Sequence, residues 1–233
     1  FADTTNLSEG DVFDTLDGYA ICRKYVVPVK ASSAQNRADS KIKKAFKRVD
    51  NTFLPEHFDT GQWLREEATV EPYEELIITQ KLHGTSVRLA NTVVKRQLTK
   101  RERFARKFLG AEISEHSYDL VAGSRKAIKD PNNPNQDHYY NTDIWTDALA
   151  YYGGSIPKNV VVYGELVGYI PDGGPIQKGH TYGQPDGTYE LYVYRVALIT
   201  EDAELYDLGW DQVKDFCNRH GLHTVPELDR VPK

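Results

Sequence analysis

The stretch Glu75-Leu76-Ile77-Ile78-Thr79-Gln80-Lys81-Leu82-His83-Gly84-Thr85-Ser86-Val87-Arg88-Leu89 decides the fold more than any other in the chain. Its first part is short, apolar and β-branched, with Pro72 ahead of it, and predicts a buried strand over 74–80. Its second part alternates polar and apolar residues, the period of another strand. Gly84 between the two predicts a hairpin or one bent strand. A lysine at the end of a buried strand is partly desolvated, which favours a neutral, nucleophilic amine. Gly84 lets the backbone turn close to a phosphate. Taken alone, a lysine in this position is more often a solvated charge.

Outward from this stretch, strands prevail. Tyr19–Val29, Tyr118–Ala122, Val160–Tyr169 and Tyr189–Thr200 read as strands. Residues 98–108 read as an amphipathic helix, with Leu98, Phe104 and Phe108 among bases and Gly110 as its stop. Thr142–Tyr152 and Trp210–His220 read as further helices, closed by Gly153-Gly154 and Gly221. Residues 53–61, 131–136 and 171–187 are rich in turn residues and read as loops. Several strands follow one another without an intervening helix. That pattern predicts an α+β fold, antiparallel sheets flanked by helices, over a doubly wound parallel sheet.

The 233 residues suit one substantial domain, or one domain with a small appendage. Charged residues at 27% and hydrophobic residues at 39% exclude disordered, fibrous and membrane-spanning classes. The apolar run Val160–Tyr163 is strand-sized, far below a spanning length. The two cysteines, Cys22 and Cys217, are remote from each other and have no metal spacing, which predicts a reducing, cytoplasmic setting. There is no Met where ordinary usage gives roughly five, and the first residue is Phe1, so the expectation is an incomplete chain.

The net charge of −5 hides an asymmetry. From Lys30 to Arg48 there are seven bases and one acid, net +6; from Lys95 to Lys107 the count is the same. The remaining 201 residues hold 15 bases and 32 acids, net −17. An acidic body with two compact basic segments can hold a polyanion locally. The segment 31–53 reads as a basic linker, helical in its second half or a mobile tether. Lys95, Arg96, Lys100, Arg101 and Arg103, closer in sequence to Lys81, read as the better phosphate-gripping group.

The sequence has no GxxxxGK[ST], GxGxxG, HExxH, GxSxG or CxxC, which argues against common phosphate loops, zinc hydrolases and serine esterases. Glu165 stands in a valine-rich, glycine-flanked strand, where a carboxylate is expensive unless partnered; an outward-facing glutamate is an equal reading. Arg125 follows a strand and a tight turn, where a plain surface charge is the leading reading. Tyr192 and Tyr194 share one strand face, as core aromatics or as a platform for a base. His57, His83 and His180 lack metal spacing.

Taken together, these segments resemble the covalent nucleotidyltransferase superfamily, and within it the nick-sealing type of ATP-dependent RNA ligase. Lys81-Leu82-His83-Gly84-Thr85 is similar to motif I, Gly123-Ser124-Arg125 to motif Ia, Val162-Tyr163-Gly164-Glu165-Leu166 to motif III, and Leu191–Val196 to motif IIIa, with Arg195 where an acidic residue is common. The likeness covers roughly residues 54–230. It implies a nucleotidyltransferase domain over 54–233, with residues 1–30 similar to the tail of an N-terminal OB-like module. Strands matching motifs IV and V do not occur before Lys233, so the domain is expected to be incomplete at its C-terminus.

The resemblance implies that Lys81 attacks ATP to form a lysyl-AMP. It implies a nucleotide pocket of Gln80, Leu82, His83, Gly84, Arg125, Glu165 and Tyr194. In it Tyr194 stacks on adenine, Gln80 faces the base and Glu165 accepts from a ribose hydroxyl. Mg²⁺ or Mn²⁺ would be linked to Glu165. The implied partner is RNA with 5′-phosphate and 3′-hydroxyl ends, in RNA repair. DNA ligase, mRNA guanylyltransferase and an inactive nucleic-acid-binding module are the alternatives.

Overall fold

The structure, a computed structural model, describes residues 15–16, 19–20, 46–71, 75–130, 140 and 142–232. The predicted strand beyond Ala20, the 31–45 part of the predicted linker and the 131–136 loop lie outside the described residues. The chain divides into two compact units, Phe1–Ala45 and Phe46–Lys233. In the first, β1 (Thr15–Leu16) and β2 (Tyr19–Ala20) pair antiparallel.

The second unit begins with an irregular segment over 46–62, then the short helix α1 (Trp63–Glu66) and β3 (Glu75–Thr79). There follow β4 (Thr85–Lys95), α2 (Lys100–Leu109), β5 (His116–Gly123) and β6 (Ile128–Lys129). The chain continues with α3 (Ile144–Tyr152), β7 (Val160–Gly168), β8 (Tyr189–Ile199) and β9 (Leu205–Asp207). It closes with α4 (Trp210–His220), β10 (His223–Thr224) and β11 (Glu227–Pro232).

The central sheet runs β10-β8-β7-β4-β5-β6, with β9 on β8. It is antiparallel except where β10 lies parallel to β8. This is the expected α+β architecture with antiparallel sheets. Period-2 alternation gives the sheet two apolar faces. On one, Val87, Leu89, Val162, Leu166, Leu191, Val193 and Val196 pack under Trp145, Ala148 and Leu149 of α3 and Val213, Phe216 and Cys217 of α4. On the other, Ala90, Val161, Tyr163, Ala197 and Ile199 pack against Val49 and Leu54.

Two expectations change here. β3 and β4 do not form a hairpin: β3 pairs with β11 in a separate two-stranded sheet, and β4 lies between β5 and β7. Nor is β3 buried; Glu75, Ile78 and Thr79 are exposed, because a two-stranded ribbon leaves much of each strand to solvent. The apolar run Leu76-Ile77-Ile78 gave no means of telling a ribbon strand from a central one.

Residues 46–53, assigned from sequence to the linker, pack on the central sheet and carry no helix. Val49 is buried, the Arg48 carbonyl accepts from the Lys95 N–H, and the Arg48 guanidinium pairs with Asp119. Alternation of single apolar residues among bases concealed this.

Candidate active site

The segment between β3 and β4 is fixed by side chains from elsewhere. Leu82 points inward, with Val167 and Val225 as buried neighbours and Tyr192, Tyr194 and Trp210 against them. Lys81 and His83, on either side of it, are exposed. The His83 N–H donates to the Tyr182 hydroxyl at 2.8 Å, and the Gln177 amide donates to the Gly84 carbonyl at 3.0 Å. The Gly84 N–H donates to Glu165 Oε1 at 3.1 Å. A Cβ at Gly84 would run into the Leu166 carbonyl oxygen, so the glycine serves close approach to β7 and not a turn. On the other side, the Gln80 N–H donates to the Pro226 carbonyl and continues the β3–β11 ladder.

β11 is itself anchored to α4. Glu227 accepts from Trp210 Nε1 and Lys214 Nζ, both at 2.7 Å, and pairs with Arg230. Arg230 and the other two donors hold its carboxyl well below the usual carboxylate range.

Glu165 comes from the middle of β7, with Ser86 of β4 and Tyr192 of β8 as its register partners. Burial pushes its carboxyl up from the ordinary value of 4.5 to about 7, against the opposing pull of the Gly84 N–H and of the Lys81 and Arg125 charges. Those charges reach Glu165 because the three groups lie at the same end of the sheet.

A register shift opposite Gly164 makes Tyr194 an extra residue on β8. Such a bulge brings consecutive side chains to one face. Tyr194 packs with Leu82, its hydroxyl 3.4 Å from Ser86 Oγ, and Arg195 lies over the same face against Tyr163 and Phe58. Gly164 is required opposite the bulge, since a Cβ there would meet Leu191 and the Tyr192 carbonyl. Arg195 is held by Asp207 of β9 in a two-bond fork, at 2.6 and 3.1 Å.

Tyr194 and Arg195 have neighbours on residues 54–59 that no local sequence pattern marks. Residues 54–59 are tied down by two side chains of the central sheet. Arg88, 1% exposed, donates from Nη1 to the Leu54 carbonyl at 2.6 Å and from Nε to the Ser124 carbonyl at 2.9 Å. Tyr163 donates to the Pro55 carbonyl at 3.1 Å. His57 then lies edge-on to Tyr194, ring centroids 5.1 Å apart, with its Nδ1 3.4 Å from Arg195 Nη1. Burial, helped by the Arg195 charge, pushes the His57 pKa down. The one sequence signal for these neighbours was Arg88 itself, a charge at an inward position of an alternating strand.

Arg88 also shapes the turn after β5. Gly123 lies against its guanidinium, where a Cβ would be 3.1 Å from Nε. Arg125, two residues on, is exposed and pairs with Asp59 at 3.0 Å. A pair so exposed adds little stability and leaves the guanidinium available to a ligand.

The structure therefore joins Gly84 to Glu165, brings Lys81 and Arg125 close enough for their charges to act on that carboxyl, and packs Tyr194 against the Leu82 cluster, while Gln80 and His83 flank Lys81 and Leu82 in the chain. Two premises change. Lys81 is exposed, so burial does not activate it. The basic group Lys95, Arg96, Lys100, Arg101 and Arg103 is not beside Lys81: β4 carries the chain ten residues away, roughly 30 Å along the strand. Arg96 is also engaged, with Nη1 2.8 Å from Glu102 and Nε donating to the Ser114 carbonyl. Among the described residues no three metal-ligating side chains cluster, and no helix is long and apolar enough to cross a membrane.

Comparisons with known proteins bear on this arrangement. An RNA ligase of Naegleria gruberi, in the apo form of a point mutant, superposes with a TM-score of 0.50 at 12% identity, over 80% of this chain and 45% of its own. The same ligase with PPi gives 0.50 at 12% identity, over 80% and 46%. The chain thus spans about 45% of the ligase chain it resembles, and the likeness is one of fold. No curated protein matches the chain in sequence. The RNA ligase family profile matches residues 74–233, from just before β3 through every strand of the central sheet. On that match, which covers more than half its length, this chain belongs to the RNA ligase family.

Proposed function

We propose that the chain is the nucleotide-binding part of an ATP-dependent RNA ligase working through a lysyl-AMP. The observation that carries this reading is the joining of the Lys81 segment to Glu165 through the Gly84 N–H. It links the motif I and motif III residues by a direct bond. In the proposed first step the Lys81 amine attacks the α-phosphorus of ATP. A P–N bond forms, the P–O bond to pyrophosphate breaks, and the lysine loses a proton. AMP then passes to an RNA 5′-phosphate, and a 3′-hydroxyl displaces it.

The residues have distinct parts in this reading. Tyr194, braced by His57 and Leu82, offers a ring face to adenine, and Gln80 faces the base. Leu82 is the apolar floor, and His83 and Gly84 approach the phosphates. Arg125 holds the α-phosphate, while Glu165, when ionised, accepts from a ribose hydroxyl. A Mg²⁺ or Mn²⁺ ion would find one carboxylate in Glu165, with phosphate oxygens and waters completing its shell, a donor set that suits Mg²⁺. It would offset phosphate charge. Lys95, Lys100, Arg101 and Arg103 remain the residues for the RNA backbone, with Arg96 as their anchor. RNA repair in the cytoplasm is the expected setting.

The test is end joining. With ATP, RNA carrying 5′-phosphate and 3′-hydroxyl ends should be sealed, or its adenylated 5′ end should accumulate. Labelling by GTP in place of ATP would shift the reading to a guanylyltransferase. Joining of DNA but not RNA would shift it to a DNA ligase.

A further inference from the structure

The helix α2 departs from its expected design. Amphipathic spacing predicts that Phe104 and Phe108 face the body, yet they are 57% and 64% exposed, and no residue of the helix is buried. The half-buried positions are Glu102 and Ala105. At 3.6 residues per turn Lys100, Phe104 and Phe108 form one stripe, with Arg101 on one flank and Lys107 and Arg103 on the other. The outward face is thus two aromatic rings set among four or more cations. The rings pack together at a centroid distance of 4.7 Å, and Lys107 Nζ lies 5.3 Å from the centre of the Phe108 ring.

The inward side is spent on holding the helix in place. Thr99 and Glu102 form a reciprocal cap at its start, Gly110 ends it in a left-handed turn, Arg96 pairs with Glu102, and Arg106 pairs with Glu115. A ten-residue helix is marginal by itself in water. Here it is braced by caps and ion pairs with its aromatics turned to solvent. Paired exposed aromatics on a basic surface serve a ligand that is both anionic and flat-faced.

We propose that the outward face of α2 is a platform for single-stranded RNA, with bases stacking on Phe104 and Phe108 and phosphates on Lys100, Arg101, Arg103 and Lys107. Charge complementarity selects the occupant: an acidic body with a local excess of cations meets a polyanion, and the rings meet its bases. Single strands are favoured over duplex because only unstacked bases present their faces. The proposal rests on the RNA ligase reading for the identity of the polymer. It places this contact at the far end of β4 from Lys81.

The test is binding of an unstructured 20-nucleotide RNA to the 233-residue chain by fluorescence anisotropy over a salt series. Phe104→Ala/Phe108→Ala should weaken binding by roughly ten-fold to a hundred-fold with the salt slope unchanged. Phe104→Tyr/Phe108→Tyr should restore it. Lys100→Ala/Arg101→Ala/Arg103→Ala should lower the salt slope by about two. A 20-base-pair RNA duplex should be insensitive to the Phe104→Ala/Phe108→Ala change.

Parent-like affinity in Phe104→Ala/Phe108→Ala overturns the platform. So does loss of binding to anionic vesicles or to an acidic peptide with RNA binding intact. The two readings separate through Lys81 adenylation measured on the intact protein. A labelled lysine with no effect of the phenylalanines sinks the platform alone. An unlabelled lysine with the full stacking effect sinks the ligase reading alone.

Discussion

Lys81 and Glu165 come from two unlike parts of one fold. Glu165 lies in β7, flanked on both sides by strands and half-buried, so its position follows from sheet register. Lys81 follows β3, a strand of a two-stranded ribbon, and is exposed. The first is placed by burial and the second by bonds: Tyr182, Gln177 and Glu165 hold residues 83–84, and Leu82 plugs into the core beside them. In the proposed reading, a lysine need not be buried for the segment that carries it to be held. Its neighbours are fixed, and its own amine stays open to a nucleotide.

The comparison can be broken most sharply at Arg88, on the buried side. Arg88→Ala removes two charged hydrogen bonds and opens a cavity, a loss of roughly 3 kcal/mol or more. For a chain of this size that lowers Tm by roughly 10 °C. ATP labelling should fall as well, since both the 54–59 segment and the Ser124 turn lose their tie. An unchanged Tm would mean that the segment is held by other contacts.

The next effect is at the junction of the two regions. Gly84→Ala places a methyl group against the Leu166 carbonyl and forces residues 82–84 away from β7. Overpacking of this kind costs about 1–3 kcal/mol. Labelling at Lys81 should fall by much more than stability does. Parallel losses in the two measurements would show that the Gly84–Glu165 bond does not position the lysine.

The smallest effect sharpens the account of Glu165. Its folded pKa, pushed up to about 7, exceeds the ordinary 4.5, so the folded state prefers the neutral carboxyl. The associated stability is present at low pH and is lost as pH rises from about 4.5 through about 7. Glu165→Gln is neutral throughout. The Tm of the parent relative to Glu165→Gln should therefore decline across that window, and a constant difference would show that Glu165 is not buried as described.

Much of this was legible in the sequence, for identifiable reasons. β7 and β8 are long apolar runs that read as strands without tertiary help, and α4 carries its glycine stop. The residues around Lys81 stood out through motif order. What remained hidden depends on contacts between distant parts of the chain. β11, with alternating charges, becomes a strand only beside β3, and β10 only beside β8. The Leu54–Asp59 segment is placed as it is because Arg88 and Tyr163 reach its carbonyls, which no local pattern encodes. The exposure of the α2 phenylalanines was hidden because amphipathic spacing fixes which residues share a face, not which face meets the body.

The central claim is that Lys81 carries the nucleotide. The most direct measurement is incubation of the intact protein with ATP labelled at the α-phosphate and Mg²⁺ or Mn²⁺, followed by peptide mapping of the acid-labile label. The account predicts AMP on Lys81, lost in Lys81→Ala and retained in Lys178→Ala, a lysine on the neighbouring loop. Equal labelling of the parent and Lys81→Ala, or label mapped to another lysine, would contradict it.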